Sequence, residues 1–334
     1  VVSWLEAPGA FERFSPLTGP GLLVLDLAAP GGSTDPHGWH ALAAQLLTLP
    51  CPVVALRPEG SDPAYAALEV AADVHARDED EVALLARRIG EFPLASLALV
   101  QLLRQTPFLD VVPGLIAESW AYSTLQTGPE FARWLEAHRK GRRGGSAPDE
   151  RPPVRARRGD GRLEIVLDRP QRHNAYSAAM RDGLVEALSV AQADDAITEV
   201  ILRGEGASFC SGGDLDEFGT APDPVTAHAV RSTRHPARAL AKLAPRLRAE
   251  LKGACIGAGV ELPAWAGTVV AHENAFFELP ELSMGLVPGA GGTVSLPRRI
   301  GRERTGWLAL SGTRIDAGTA QRWGLVDQVR ARLD

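Results

Sequence analysis

Hydrophobic positions fall in short runs near the start of the chain, recur at helical spacing from about residue 80, and return to short runs after residue 160. Residues 21–27 (Gly-Leu-Leu-Val-Leu-Asp-Leu) and 52–56 (Pro-Val-Val-Ala-Leu) are apolar runs bounded by Pro and Gly, the pattern of buried strands. A helix is expected between them over 40–49. From 80 to about 104, Val82, Leu85, Ile89, Leu97, Val100 and Leu103 follow mostly helical spacing, interrupted by Pro93, and 129–138 also reads as a helix. The first half therefore begins α/β and ends helical.

Residues 140–153 are polar and carry Gly and Pro where a regular element tolerates neither, which makes them the best boundary in the chain. The expected organisation is a module over 1–140, a linker over 141–158 and a second unit over 159–334. In that second unit, 163–167 (Leu-Glu-Ile-Val-Leu) and 200–202 (Val-Ile-Leu) read as strands. Met180, Leu184, Leu188 and Ala191 mark one face of a helix capped by Ser177. Strand and helix alternate with glycine-rich turns, an α/β pattern whose turn amides are open to a ligand.

A chain of 334 residues with 45% hydrophobic content has enough apolar surface for a sizeable core or two domains. Its net charge of -6 and pI near 5.8 argue against nucleic-acid or anionic-membrane partners, which favour a basic face. Basic clusters at 139–143 and 151–158 read as a solvated linker. Cys51, Cys210 and Cys255 show no paired spacing, so neither a disulfide framework nor a metal site is expected, and a reducing cytoplasm is the expected compartment. With no leader pattern at residue 1 and no apolar run approaching ~20 residues, the protein is expected to be neither secreted nor membrane-spanning.

Three segments place small residues and carboxylates where packing explains them poorly. The first, 207–215, follows a strand and contains Ser211, Gly212, Gly213, Asp214 and Leu215, a close-approach turn or a plain glycine turn. The second, 252–262, runs through Gly257 and Ala258 into a helix with Glu261 near its start. Free N–H groups there can hold an oxyanion, while Glu261 is either a catalytic carboxylate or a complement to the helix dipole. It is no dinucleotide fingerprint, since a third glycine and a later acidic residue are missing. The third, 276–293, sets Glu281 after a proline among apolar residues, a setting that raises a carboxyl pKa toward the range useful for acid–base catalysis. Glu278 reads as a solvated or strand-edge residue.

Together these segments resemble the crotonase (enoyl-CoA hydratase/isomerase) superfamily from about 161 to 329. The likeness includes 167–175, similar to the family's opening strand and coenzyme A loop, and 310–317 followed by 324–329. It implies an α/β crotonase spiral of ββα units with an associated helical region, and an acyl-CoA substrate with no cofactor beyond the coenzyme A it carries. Carried onto this chain, the oxyanion-hole amides fall on Gly213 and Ala258, the latter where glycine is usual, and the two carboxylates of the hydratase branch on Glu261 and Glu281. Arg169, Arg172 and His173 become candidate phosphate partners or ordinary surface charges. Ala175, Ser211, Asp214 and Leu215 are expected near the adenine, with Gly212, Gly257 and Gly289 in the binding loops. Hydration in fatty acid metabolism is the leading reading. Isomerase, thioesterase or decarboxylase chemistry, or a non-catalytic acyl-CoA-binding subunit, are the alternatives. A homo-oligomer, trimer or hexamer, is implied, and 219–235 is expected as a lid.

The family's terminal helices find a likeness not after residue 329 but at 82–104 and 114–139. Residues 52–60 also echo 245–253, each with eight positions from proline to glycine. The first half thus reads as a degenerate crotonase module, with Ala67 where a catalytic glutamate belongs, its helices packing on the second half.

Overall fold

The computed structural model describes residues 9–27, 36–57, 65–141 and 151–333. Helix α1 (Ala10–Phe14) leads to β1 (Leu23–Asp26), α2 (Pro36–Leu46), β2 (Val53–Leu56), α3 (Ala66–Ala71) and β3 (Val74–Ala76), and the strands form a parallel sheet in the order β1-β2-β3. The first three residues of β2, the central strand, are all buried, while β1 at the edge alternates buried and exposed. Four helices follow: α4 (Glu79–Glu91), α5 (Pro93–Gln105), α6 (Val111–Leu125) and α7 (Pro129–Gly141). Asp78 caps α4 by accepting the Glu81 N–H at 2.9 Å, and Pro93 opens α5, where a missing N–H costs nothing.

The second half differs from expectation at its start. Residues 154–158, read as the end of the linker, belong to β4 (Val154–Gly159), an edge strand antiparallel to β5 (Arg162–Leu167). Its arginines sit on a solvated edge, where hydrophobic patterning is weak, and Arg155 pairs with Asp168 (2.6 Å) and Glu205 (2.9 Å). The rest of the expected linker, 142–150, lies outside the described residues. Helix α8 (Ala178–Ala193) starts at Ser177, whose hydroxyl accepts the Met180 N–H. Then come β6 (Glu199–Gly204), α9 (Pro224–Thr233), α10 (Pro236–Leu243), β7 (Leu247–Leu251), β8 (Ala254–Ile256), α11 (Ala258–Glu261), β9 (Thr268–His272), β10 (Phe276–Glu278), α12 (Gly292–Ile300), α13 (Arg302–Ser311), β11 (Ile315–Asp316), α14 (Ala317–Trp323) and β12 (Gln328–Arg330).

The main sheet has the order β12-β9-β7-β6-β5-β4, parallel except for the β4–β5 hairpin, and a second sheet has the order β11-β10-β8. After three of the main-sheet strands the chain turns and adds a partner to the second layer: β7 leads to β8, β9 to β10, and β6 to a bridge between Cys210 and Cys255. This is the α/β spiral of ββα units. The sequence 219–235, irregular in pattern, contains the ordered helix α9. Only Ala227 of α9 is buried, so no apolar stripe announced it, and Asp223 caps it through the Thr226 N–H at 2.8 Å.

One large core joins α4–α7 to the second half, with Leu85, Leu99 and Leu115 in the same cluster as Leu286, Val294 and Leu308. A smaller core holds the start of the chain, including Leu25, Leu46 and Leu68. Asp73 pins the two together. Its buried carboxylate accepts from Arg104 (2.6 and 2.9 Å), Arg302 (2.9 Å) and the Val53 N–H (2.8 Å).

Candidate active site

A cavity of about 610 Å³ is lined by residues of both halves, among them Tyr122, Trp134, Gly213, Ala258, Glu261 and Glu281. Neither the Gly213 nor the Ala258 N–H donates to a protein acceptor among the described residues. Ala258 opens the one-turn helix α11, so its N–H is one of the groups a helix start leaves without an internal partner. Glu261 closes that same turn rather than lying near the start of a long helix, because Pro263 limits its length and a 3₁₀ turn (Pro263–Trp265) follows.

Glu261 is 2% exposed and Glu281 is 8% exposed. Oε2 of Glu261 accepts the N–H groups of Ala290 (2.7 Å) and Gly292 (2.8 Å) at the start of α12. A Cβ on Gly292 would stand 2.6 Å from Glu261 Cγ, so only glycine lets the helix come this close. Glu281 starts a 3₁₀ turn (Glu281–Met284), and its Oε2 is buried without a partner. Gly257 lies behind it at φ +51, where a Cβ would meet Glu281 Oε1 at 2.5 Å. Glu278 ends β10 and pairs with Arg314 at 3.1 Å, apart from this pair.

A third carboxylate, not foreseen from the sequence, comes from the first half. Glu118 of α6 is 1% exposed and accepts from the Gly291 N–H (2.8 Å), the Thr293 N–H (2.9 Å) and the Thr293 hydroxyl (2.7 Å). The available signal was its place three residues after Leu115 and four after Gly114, on one face of a helix, a face that the structure buries. Burial pushes all three carboxyls upward: Glu118 to about 7, Glu281 to about 8, and Glu261 well above the ordinary value, the last also through repulsion by Glu281 and Glu118. Their titrations interact, and burial disfavours ionising all three together. A set of carboxyls raised in this way can offer both a proton donor and a proton acceptor near neutral pH, the arrangement acid–base chemistry requires.

A family model described as enoyl-CoA hydratase/isomerase matches residues 157–334, just over half of the chain. The chain belongs to that family. Similar curated proteins include the 1,2-epoxyphenylacetyl-CoA isomerase of Escherichia coli, 36% identical over 51% of this chain and 66% of that protein. The 2,3-dehydroadipyl-CoA hydratase of the same organism is 38% identical over 50% of this chain and 65% of that protein. The chain thus spans just under two thirds of the length of these relatives. A solved enoyl-CoA hydratase from Mycobacterium smegmatis matches with a TM-score of 0.50 and 30% identity, covering 54% of this chain and 71% of that one.

In this member of the enoyl-CoA hydratase/isomerase family, Ser211, Gly212, Asp214, Leu215 and Gly289 line the cavity, while Arg169, Arg172, His173 and Ala175 do not. The two arginines are engaged with carboxylates of the chain itself. Arg169 donates to Asp214 (3.1 Å) and the Ala175 carbonyl (3.4 Å), and Arg172 to Asp214 (2.8 Å) and Asp216 (2.9 Å). Asp214 is buried and needs cations close by, a pairing invisible across more than forty residues of sequence. His173 Nδ1 lies 3.2 Å from the Ser208 hydroxyl. The three cysteines are free and buried, no group of His, Cys, Asp or Glu among the described residues is placed to hold a metal, and no helix among them is long and apolar enough to cross a membrane.

Proposed function

We propose that the protein hydrates 2-enoyl-CoA thioesters, or catalyses the reverse dehydration. The observation that carries this reading is the convergence of two free backbone N–H groups, Gly213 and Ala258, with two buried carboxyls, Glu261 and Glu281, on one cavity. Water adds through its oxygen to the β-carbon while one carboxylate takes its proton. Electron density moves onto the thioester oxygen, where the two amides hold the enolate, and the other carboxyl delivers a proton to the α-carbon. The product is a 3-hydroxyacyl-CoA, the atoms balance with water alone, and the step calls for no metal or redox cofactor. Oxyanion donors of this kind contribute about 3–4 kcal/mol each, and positioned acid–base groups about 10²- to 10⁴-fold.

Residues 21–78 are, in the same reading, a shortened second copy of the strand unit. Two features support this: β1-β2-β3 is parallel like β6-β7-β9, and Val54↔Val74 and Arg248↔Thr268 are pairings with the same twenty-residue offset. Among the described residues of the first half, those that line the cavity, Tyr122, Gln126 and Trp134, belong to α6, the segment after it and α7.

The test is loss of the enone absorbance of short and branched 2-enoyl-CoAs. Turnover by wild type, with a loss of roughly 10²-fold or more in both Glu261→Gln and Glu281→Gln, supports hydration. Double-bond migration or free coenzyme A as the only product would assign isomerase or thioesterase chemistry instead.

A further inference from the structure

The wall that α9 gives to the cavity carries a guanidinium with no carboxylate in direct contact, although the buried Glu118 acts on it through space. Arg231 donates through Nε to the Ser119 hydroxyl (3.0 Å) and through Nη2 to the Ser123 hydroxyl and, at 3.5 Å, the Ser119 carbonyl, while its guanidinium lies 4.8 Å from the centre of the Tyr122 ring. All of these partners are neutral. Among the described residues no Asp or Glu stands within ion-pair distance, and Nη1 donates to no protein acceptor. Its neighbours on the same cavity are neutralised: Arg181 bonds Asp182 at 2.9 Å, and Arg234 lies 3.3 Å from Asp182 and 3.4 Å from Glu186. His235, buried between them, is pushed down to about 4 by burial and by Arg238, Arg231 and Arg181, so the imidazole adds no charge of its own near neutral pH.

Arg231 also lies on the side of the reacting carbons. The Tyr122 ring beneath its guanidinium stands 2.4 Å from where a Gly289 Cβ would be, and the next residue, Ala290, donates to Glu261. Arg231 is half-buried, its direct hydrogen-bond partners are all neutral, and an anion that accepts its free N–H groups completes it with strong, geometrically specific bonds. We propose that Arg231 receives a carboxylate at the far end of the acyl chain, so that the preferred substrates are ω-carboxylated 2-enoyl-CoA thioesters. This rests on the acyl-CoA reading of the cavity. An arginine serving only to fasten α9 to α6 through Ser119 and Ser123 would not distinguish a carboxylate terminus from a methyl one.

The experiment compares ω-carboxylated 2-enoyl-CoAs with methyl-terminated ones of equal length as substrates, and the corresponding saturated thioesters as ligands by calorimetry. Wild type is expected to favour the carboxylated member by roughly a hundredfold in kcat/KM, mostly through KM, the scale of one charge-assisted pair. Arg231→Gln should collapse that ratio toward one, and Arg231→Lys should retain part of it. Equal or weaker binding of the carboxylated thioester to wild type overturns the proposal without any variant, as does a preference that survives in folded Arg231→Gln. Tight, Arg231-dependent binding of the carboxylated thioester without hydration keeps this subsite and removes the hydratase reading. Hydration of both members with no preference does the reverse.

Discussion

Glu118 and Glu261 divide the start of one helix between them. Of four consecutive backbone N–H groups, Ala290 and Gly292 donate to Glu261 and Gly291 and Thr293 donate to Glu118. The first half of the chain therefore does more than cover the second. Its helix α6 also holds the loop that leads into α12, whose amides bond a candidate catalytic carboxylate, and the amides that would otherwise serve one carboxyl are rationed between two.

Glu118→Ala is expected to leave two buried N–H groups and the Thr293 hydroxyl without their acceptor, at about 1–3 kcal/mol for each unsatisfied group. Urea unfolding should show a lower midpoint with an unchanged slope. Glu118→Gln, which keeps one accepting oxygen, should recover part of the loss. Activity should fall in kcat more than in KM in both, because the turn that orients Glu261 shifts. Equal stability of wild type and Glu118→Ala would show that water replaces the carboxylate at no cost.

Asp73 is the second place where the halves are tied. Three donor groups converge on it from α5, α13 and β2, two of them guanidiniums. Asp73→Ala removes the anion and leaves two desolvated cations, Arg104 and Arg302, facing each other. The expected cost is about 3–5 kcal/mol, the range for breaking a buried ion pair from one side. Thermal unfolding followed by circular dichroism measures it, and a loss below about 1 kcal/mol would mean that the arginines find other partners.

Much of this was readable before the structure. Ser177 and the Met180, Leu184, Leu188 stripe marked α8, and Glu281 was singled out because a carboxyl after a proline in apolar sequence has few structural uses. What escaped has a common physical cause. The β4 strand is an exposed edge whose partners are charges, α9 buries only Ala227, and Glu118, Arg231 and the Asp214 cluster acquire their meaning from residues many turns away. Periodicity reports a residue's own burial. It is silent about which neighbour satisfies a buried charge.

The raised carboxyls make stability depend on pH in a definite direction. Glu281 moves from 4.5 to about 8 and Glu118 from 4.5 to about 7, so between about pH 4.5 and 8 the folded protein binds more protons than the unfolded chain. Stability from these groups is therefore fully present at acidic pH and is lost as pH rises through the folded values, by up to about 1.4 kcal/mol per pH unit for each proton. Glu281→Gln should melt higher than wild type at pH 8 and above, with the gap narrowing as pH falls toward 5. Parallel melting curves for the two proteins across that range would contradict the burial argument.

Gly257 offers a test of placement rather than charge. An alanine there would adopt φ +51, unfavourable for any residue with a Cβ, and would set its methyl 2.5 Å from Glu281 Oε1. The carboxyl must swing away, since the backbone is held by the bond from the Gly257 N–H to the Glu278 carbonyl at 2.9 Å. Strain of about 1–3 kcal/mol leaves the protein folded, whereas a displacement near 1 Å at a catalytic group costs on the order of 10²-fold in rate. Gly257→Ala is thus expected to retain most of its melting temperature and to bind acyl-CoA while losing kcat on 2-enoyl-CoAs by that factor. A variant that melts normally and turns over normally would remove Glu281 from the reacting pair, because its position could not then matter.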